Sequence, residues 1–110
     1  MKSHPESVSK LFDAILLLES HDECARFFDD LCTYKELLSI AQRFEVAKLL
    51  TDGKKFNEIV DLTGASTATI ARVNRSLMFG AGGYPVVFER LNPMNESKID
   101  MEAEDETEIL

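Results

Sequence analysis

Apolar residues recur along most of the chain at intervals of three and four positions, which is the period of an amphipathic α-helix. The first such segment follows Pro5 and runs from Glu6 to about Glu19. A second, shorter helix is predicted next, with Asp22 as its N-cap. Its predicted buried face consists of Ala25, Phe28, Leu31 and Cys32. Because no stretch alternates apolar and polar residues for long enough to form a strand, the pattern predicts an all-α fold.

A capping-box pattern begins the third predicted helix. In Thr33-Tyr34-Lys35-Glu36, the threonine hydroxyl can accept from a free helical N–H while the glutamate reaches back to another. This helix is expected to start at Thr33, to run to about Thr51 and to close at Asp52-Gly53, where glycine can adopt a left-handed conformation. Its apolar positions spread over more than one flank of the helix. Since one small domain cannot cover so wide a surface, we expect a second copy of the chain to cover it, in a homodimer.

Two short helices with a glycine between them are predicted over residues 56–79. Gly64 lies where a tight turn requires a positive φ, and Ser66 or Thr67 can cap the second helix. The positions of that helix expected to face inward are Ile70, Val73 and Leu77. The outward positions, which are small, hydroxylated or basic, are Thr67, Ala68, Thr69, Ala71, Arg72 and Arg75.

The outward side of this second helix suits DNA recognition. Small side chains let a helix approach the major groove closely, threonine hydroxyls can bond base edges or phosphates, and methyl groups can meet the thymine methyl. The residues expected to contact bases are Thr67, Ala68, Thr69 and Ala71. Lys55 and Arg75 are expected to contact phosphates. The alternative interpretation of the same pattern is an ordinary helical hairpin.

The charge of the chain is unevenly distributed. A length of 110 residues with 45% hydrophobic residues suits one domain, but a formal net charge of −8 is unusual for a protein that must neutralise phosphates. Seven acidic residues and one lysine lie over 92–110, which leaves eleven basic and thirteen acidic residues over 1–91. We therefore predict a domain over 1–91 and a disordered acidic tail over 92–110. The tail is expected to be a solvated segment or, alternatively, a competitor for the basic surface.

The remaining motifs argue against other classes of protein. Cys24 and Cys32 are eight positions apart, which fits neither a zinc site nor a disulfide framework, so no metal is expected. No histidine accompanies a nucleophile, so an enzyme is not expected. With neither a membrane-spanning run nor a signal peptide in the sequence, we predict a cytoplasmic protein without membrane contact. The run Gly80-Ala81-Gly82-Gly83 lacks the strand and lysine of a phosphate loop and is interpreted as a link to a last short helix, from Pro85 to about Leu91.

These residues also carry a resemblance to a known family. Thr33 to Leu77 resembles the core of the tryptophan repressor family, most closely in Gly64-Ala65-Ser66-Thr67-Ala68-Thr69-Ile70-Ala71-Arg72 and in Lys48-Leu49-Leu50-Thr51-Asp52-Gly53. The continuation from Asn74 to Tyr84 is similar to the YerC/YecD subgroup of that family. The resemblance covers most of residues 10–91. It implies a Trp-repressor-like helical bundle, an intertwined six-helix homodimer and binding of double-stranded DNA at paired half-sites.

The family also implies a corepressor pocket. Arg43 and Arg72 resemble the two arginines that sandwich the indole of tryptophan in the repressor, and Thr33 and Ser76 resemble the threonine and serine that line the pocket. Val73 stands where the repressor has a glycine beside the indole, and overfilling a packed site typically costs about 1 to 3 kcal/mol. Tryptophan is therefore not the expected ligand. Another small ligand or none is expected, with the two arginines serving as scaffold in the second case.

The function predicted from the sequence is a dimeric, sequence-specific transcriptional regulator that is not controlled by tryptophan. Repression by occupying an operator is the simplest mechanism. Phosphate contacts from Lys54, Lys55, Arg75 and helix N-termini predict modest affinity with a strong dependence on salt. The rival is a protein-interaction module that keeps the fold without binding DNA, which is suggested by the acidic tail and by Glu58 and Asp61 in the first helix of the pair.

Overall fold

The computed structural model describes residues 3–91, which form six α-helices and contain no strand. The helices are α1 (Glu6–Ile15), α2 (His21–Leu31), α3 (Tyr34–Thr51), α4 (Phe56–Thr63), α5 (Thr67–Phe79) and α6, described over 83–91. The chain divides within α3 into an N-terminal unit that ends at Phe44 and a C-terminal unit that begins at Glu45. The tail predicted over 92–110 lies outside the described residues. The prediction of an all-α fold is confirmed for the part that is described.

The start and the end of α3 follow the local signals in the sequence. The hydroxyl of Thr33 accepts a hydrogen bond from the Glu36 N–H at 3.1 Å, and the Glu36 carboxylate accepts from the Thr33 N–H at 2.8 Å. These two bonds are the reciprocal pair of a capping box, and they satisfy two backbone donors that the first helical turn leaves free. Beyond the other end of the helix, Gly53 has a φ of 89°, in the left-handed region.

The predicted end of α1 is wrong, since the helix stops at Ile15 and not near Glu19. The backbone N–H groups of Leu17 and Leu18 donate three residues back, to the carbonyls of Ala14 and Ile15, each at 3.1 Å. This tighter pattern ends the α-helix while the apolar run continues. A hydrophobic run therefore extended the prediction beyond the helix that the backbone forms.

The predicted N-cap of α2 is also wrong. Ser20 is the capping residue, because its hydroxyl accepts from the Glu23 N–H at 3.0 Å. Asp22 lies inside the first turn and instead accepts from Nε of Arg26 at 2.8 Å. Serine and aspartate are both good caps, and the backbone selects the serine two positions earlier.

No side chain in the described part of the N-terminal unit, residues 3–44, is buried. The face of α2 that was predicted to be buried is not: Ala25 and Leu31 are exposed, while Phe28 and Cys32 are half-buried. Between α1 and α2, Leu16 is 81% exposed. The apolar stripes of this unit have no sufficient counterpart within it, which is why the expected burial is absent.

The C-terminal unit, in contrast, has a hydrophobic core. Its buried residues are Val46, Ala47, Ile59, Ala65, Ile70, Val73 and Phe88. These side chains come from α3, α4, the turn after α4, α5 and α6, so one core joins all four helices of the unit. Phe88 stacks on Tyr84 with ring centroids 5.9 Å apart, and Nζ of Lys48 lies 6.0 Å from the centre of the Phe88 ring. The contacts of Phe88 attach α6 to the end of α3.

Candidate nucleic-acid interface

The turn between α4 and α5 is built by a glycine and two hydroxyl side chains. Gly64 has a φ of 74° and donates its N–H to the Val60 carbonyl at 2.8 Å, which closes α4. The Thr63 hydroxyl donates to the Ile59 carbonyl at 2.7 Å and accepts from the Ala65 N–H at 3.0 Å. Ser66 then caps α5, because its hydroxyl oxygen accepts from the Thr69 N–H at 3.1 Å. The predicted glycine turn and one of the two predicted caps are confirmed.

Burial on one side of α5 determines which side chains the helix presents to solvent. Ile70 and Val73 are 0% and 2% exposed, and Leu77 is half-buried, as predicted. We call the exposed residues from Thr67 to Arg75 the outer face of α5. This face consists of Thr67, Ala68, Ala71, Arg72 and Arg75. The predicted reader helix therefore presents small and basic side chains to solvent over 67–75, whereas its C-terminal turn exposes the apolar side chains of Met78 and Phe79.

Thr69 differs from the other residues that were predicted to contact bases. It is half-buried, and its hydroxyl oxygen lies 3.0 Å from that of Ser66, within the N-cap of α5. The sequence pattern missed this, because the spacing that makes Ser66 a cap also places the Thr69 side chain beside it. The structure thus brings Thr69 into the capping arrangement and leaves the rest of the predicted base-contacting set exposed.

Four of the cations near α4 and α5 have no acidic partner among the described residues. Lys10, Arg26 and Lys48 form ion pairs with a carboxylate one helical turn away. Among the described residues, no carboxylate lies within ion-pair distance of the four basic residues that were predicted to face DNA or a ligand in this region. These residues are Lys54, Lys55, Arg72 and Arg75. Their positive charges remain available to an anionic partner.

Among the described residues, the excess of acidic side chains lies in the N-terminal unit. Residues 45–91 contain six basic and five acidic residues, whereas residues 3–44 contain four basic and eight acidic residues. No acidic residue occurs from Gly64 to Gly83. Glu58, which weighed against DNA binding in the sequence, accepts a hydrogen bond from the Lys55 N–H at 2.8 Å and so caps α4. Its carboxylate therefore has a structural partner at the start of that helix.

The residues similar to the corepressor pocket are divided between the two units. Thr33 and Arg43 belong to the N-terminal unit, where the Thr33 hydroxyl serves the capping box of α3. Arg43 is half-buried and lines an open cavity of about 360 Å³. Arg72 and Ser76 are exposed and lie one turn apart on α5. Arg72 and Ser76 flank Val73 in sequence, and the side chain of Val73 is part of the core of the C-terminal unit.

Within residues 3–91, no group of three or more histidine, cysteine, aspartate or glutamate side chains is placed to hold a metal ion. Cys24 is exposed, Cys32 is half-buried, and both are free thiols. No helix in this part of the chain combines the length and apolar character needed to cross a membrane.

The fold of the C-terminal unit and its exposed α5 define a helix-turn-helix protein. The sequence matches the family described as Trp repressor protein over residues 6–92. The chain belongs to the Trp repressor family, and the resemblance stated from the sequence is confirmed.

Two relatives show how close the similarity is. YerC of Bacillus subtilis (strain 168), described as uncharacterized, is 47% identical over 90 residues, which is 82% of this chain and 86% of YerC. The crystal structure of a TrpR-like protein from Eubacterium eligens is 54% identical, with a TM-score of 0.78 over 81% of this chain and 92% of that one. The predicted Trp-repressor-like bundle is thereby confirmed as the fold.

Replacing Gly64 with alanine tests the turn between the two helices. A Cβ at Gly64 would meet no atom within 4 Å, so the expected cost of Gly64→Ala comes from the positive φ alone and amounts to about 1 to 2 kcal/mol of unfolding free energy. Gly83→Ala is the matched control, because that position is equally open but has no positive φ. Its expected effect is within about 0.5 kcal/mol. Urea unfolding at one protein concentration measures both, and equal effects would contradict the role of Gly64.

Proposed function

We propose that this protein is a dimeric, sequence-specific DNA-binding regulator that represses transcription by occupying an operator. The observation that carries the proposal is the outer face of α5, where small side chains lie beside Arg72 and Arg75 and no carboxylate of the described residues forms an ion pair with either arginine. Membership of the Trp repressor family supports it. No enzymatic activity is proposed, and a DNA-binding role implies a cytoplasmic protein.

The side chains of α5 suggest which residues contact bases and which contact phosphates. Thr67, Ala68 and Ala71 are assigned to base edges in the major groove, because they are exposed and small. Because its hydroxyl is engaged by Ser66, Thr69 is assigned a base contact through its methyl group. Arg75 and Lys55 are assigned to phosphates, together with the N-terminal N–H groups of α5, which have no acidic residue in their first turn.

A homodimer is part of this proposal, and the N-terminal unit supplies the reason. Large apolar side chains of that unit are exposed on α2 and α3 and between α1 and α2. They include Leu16, Leu17, Leu31, Leu38 and Ile40. Large exposed apolar side chains in this number are typical of an obligate interface. A second copy provides matching apolar stripes and two recognition helices for paired half-sites.

Ile40→Glu tests the dimer, because Ile40 is a large apolar residue of α3 that is 45% exposed. The native chain is expected to sediment at twice its mass of 12.4 kDa, and the variant is expected to shift towards the monomer because a buried charge is costly. Lys35→Gln on the same helix changes the net charge by the same amount at an exposed position and should remain a dimer. A native monomer at micromolar concentration in analytical ultracentrifugation would contradict the proposal.

Selection from random DNA with the purified protein tests DNA recognition. We expect enriched half-sites about one helical turn apart. Against such a site, Arg75→Gln should weaken binding at low salt and reduce the slope of log affinity against log salt by about one for each subunit. Arg26→Gln, which removes a cation already paired with Asp22, should leave the slope unchanged. If no sequence is enriched and no DNA binds at low salt, the protein-interaction module becomes the better account.

We further propose that tryptophan does not control this regulator. Val73 is 2% exposed and belongs to the core, so its side chain occupies a packed position and not an open pocket. Adding L-tryptophan at millimolar concentration is therefore expected to change the DNA affinity of the native protein less than twofold, measured by fluorescence anisotropy with the selected site. A tryptophan-dependent increase of tenfold or more would contradict the proposal, and Val73→Gly would then show whether the side chain limits the response.

A further inference from the structure

We propose that the acidic segment 92–110 docks on the outer face of α5 and competes with DNA for it, an inference that rests on the proposed DNA-binding function. The segment follows the described part of α6 directly and contains seven acidic residues and one lysine. The outer face of α5 offers Arg72 and Arg75, neither of which has a carboxylate partner among the described residues. The segment is thus negatively charged, and the outer face of α5 is positively charged.

The charge distribution favours the C-terminal unit as the docking site. Its described part has one more basic than acidic residue, whereas the described part of the N-terminal unit has four more acidic than basic residues. An acidic segment is therefore repelled by the N-terminal unit and attracted to the C-terminal one. Within the latter, α5 has no acidic residue, while α4 contains Glu58 and Asp61. The first turn of α5 also keeps the positive end of its helix dipole unneutralised by any acidic side chain.

The length of the segment allows this contact within one chain. Nineteen residues in extended form reach at most about 65 Å. A compact unit of about 50 residues has a radius of gyration of roughly 10 Å, so the segment can reach any side of the unit to which it is joined. A tethered segment meets its target at an effective concentration on the order of millimolar. Contacts too weak to hold two separate molecules together are then sufficient to compete with DNA.

Charge neutralisation in the full chain tests the docking. The tail variant combines Glu102→Gln, Glu104→Gln, Asp105→Asn and Glu106→Gln. The control variant makes the same change in net charge in the N-terminal unit, with Asp13→Asn, Glu19→Gln, Asp29→Asn and Asp30→Asn, all at exposed positions. At low salt we expect the tail variant to bind the selected DNA roughly three- to tenfold more tightly than the native chain, and the control variant to change affinity less than twofold. Equal effects of the two variants would overturn the proposal, because they would reflect net charge alone.

A second measurement uses the protein without DNA. In NMR spectra, the Nε–Hε signals of Arg72 and Arg75 and the amide signals of α5 are expected to shift between the native chain and the tail variant. Shifts confined to the substituted segment would overturn docking even if DNA affinity increased, since the segment would then only repel DNA at a distance. If neither chain binds DNA at any salt concentration, the proposed function fails, while the spectra still decide whether the segment contacts α5.

Discussion

The apolar contact beneath α4 and α5 is the interaction on which the candidate interface depends. A helix of eight residues such as α4 is too short to be stable alone in water, so it requires packing against its neighbours. Ile59 on α4 and Ile70 on α5 are both fully buried and share one core with Val46 and Ala47 from the end of α3. This packing selects the rotation of α5 about its own axis. The outer face of α5 is therefore a consequence of which side chains are inside.

The two units use their apolar residues in opposite ways. In the C-terminal unit, buried side chains come from four helices and from Ala65 in the turn after α4. In the N-terminal unit, similar residues at similar spacing remain exposed or half-buried. The helix α3 contributes to both, with Val46 and Ala47 buried near one end and Leu38 and Ile40 exposed nearer the other. In the proposed dimer, one continuous helix would thus serve both the subunit contact and the DNA-reading unit.

Local signals in the sequence were sufficient where hydrogen bonds between near neighbours decide the structure. The capping box at Thr33, the turn at Gly64 and the cap at Ser66 are of this kind. These signals failed where two nearby residues can both cap the same helix, as Ser20 and Asp22 can at the start of α2. They failed again where burial depends on surface outside the segment itself, as for the face of α2. An amphipathic stripe indicates that one face of a helix is apolar, but it does not indicate which molecule covers that face.

At the candidate site, too, the sequence pattern identified the residue types, whereas packing determined which side chains are exposed. The net charge of the chain argued against DNA binding, because it sums charges that lie in different parts of the chain. Binding depends instead on the charges near the contact. Packing also bears on the ligand. Val73 extends the buried row of α5 begun by Ile70, so its side chain stabilises the C-terminal unit. A small residue at this position would leave space for a ligand but would weaken the packing of the core. A branched residue fills the space and strengthens the packing. In the regulator proposed above, a ligand and the core of the C-terminal unit would therefore compete for the position of Val73, and its branched side chain favours the core.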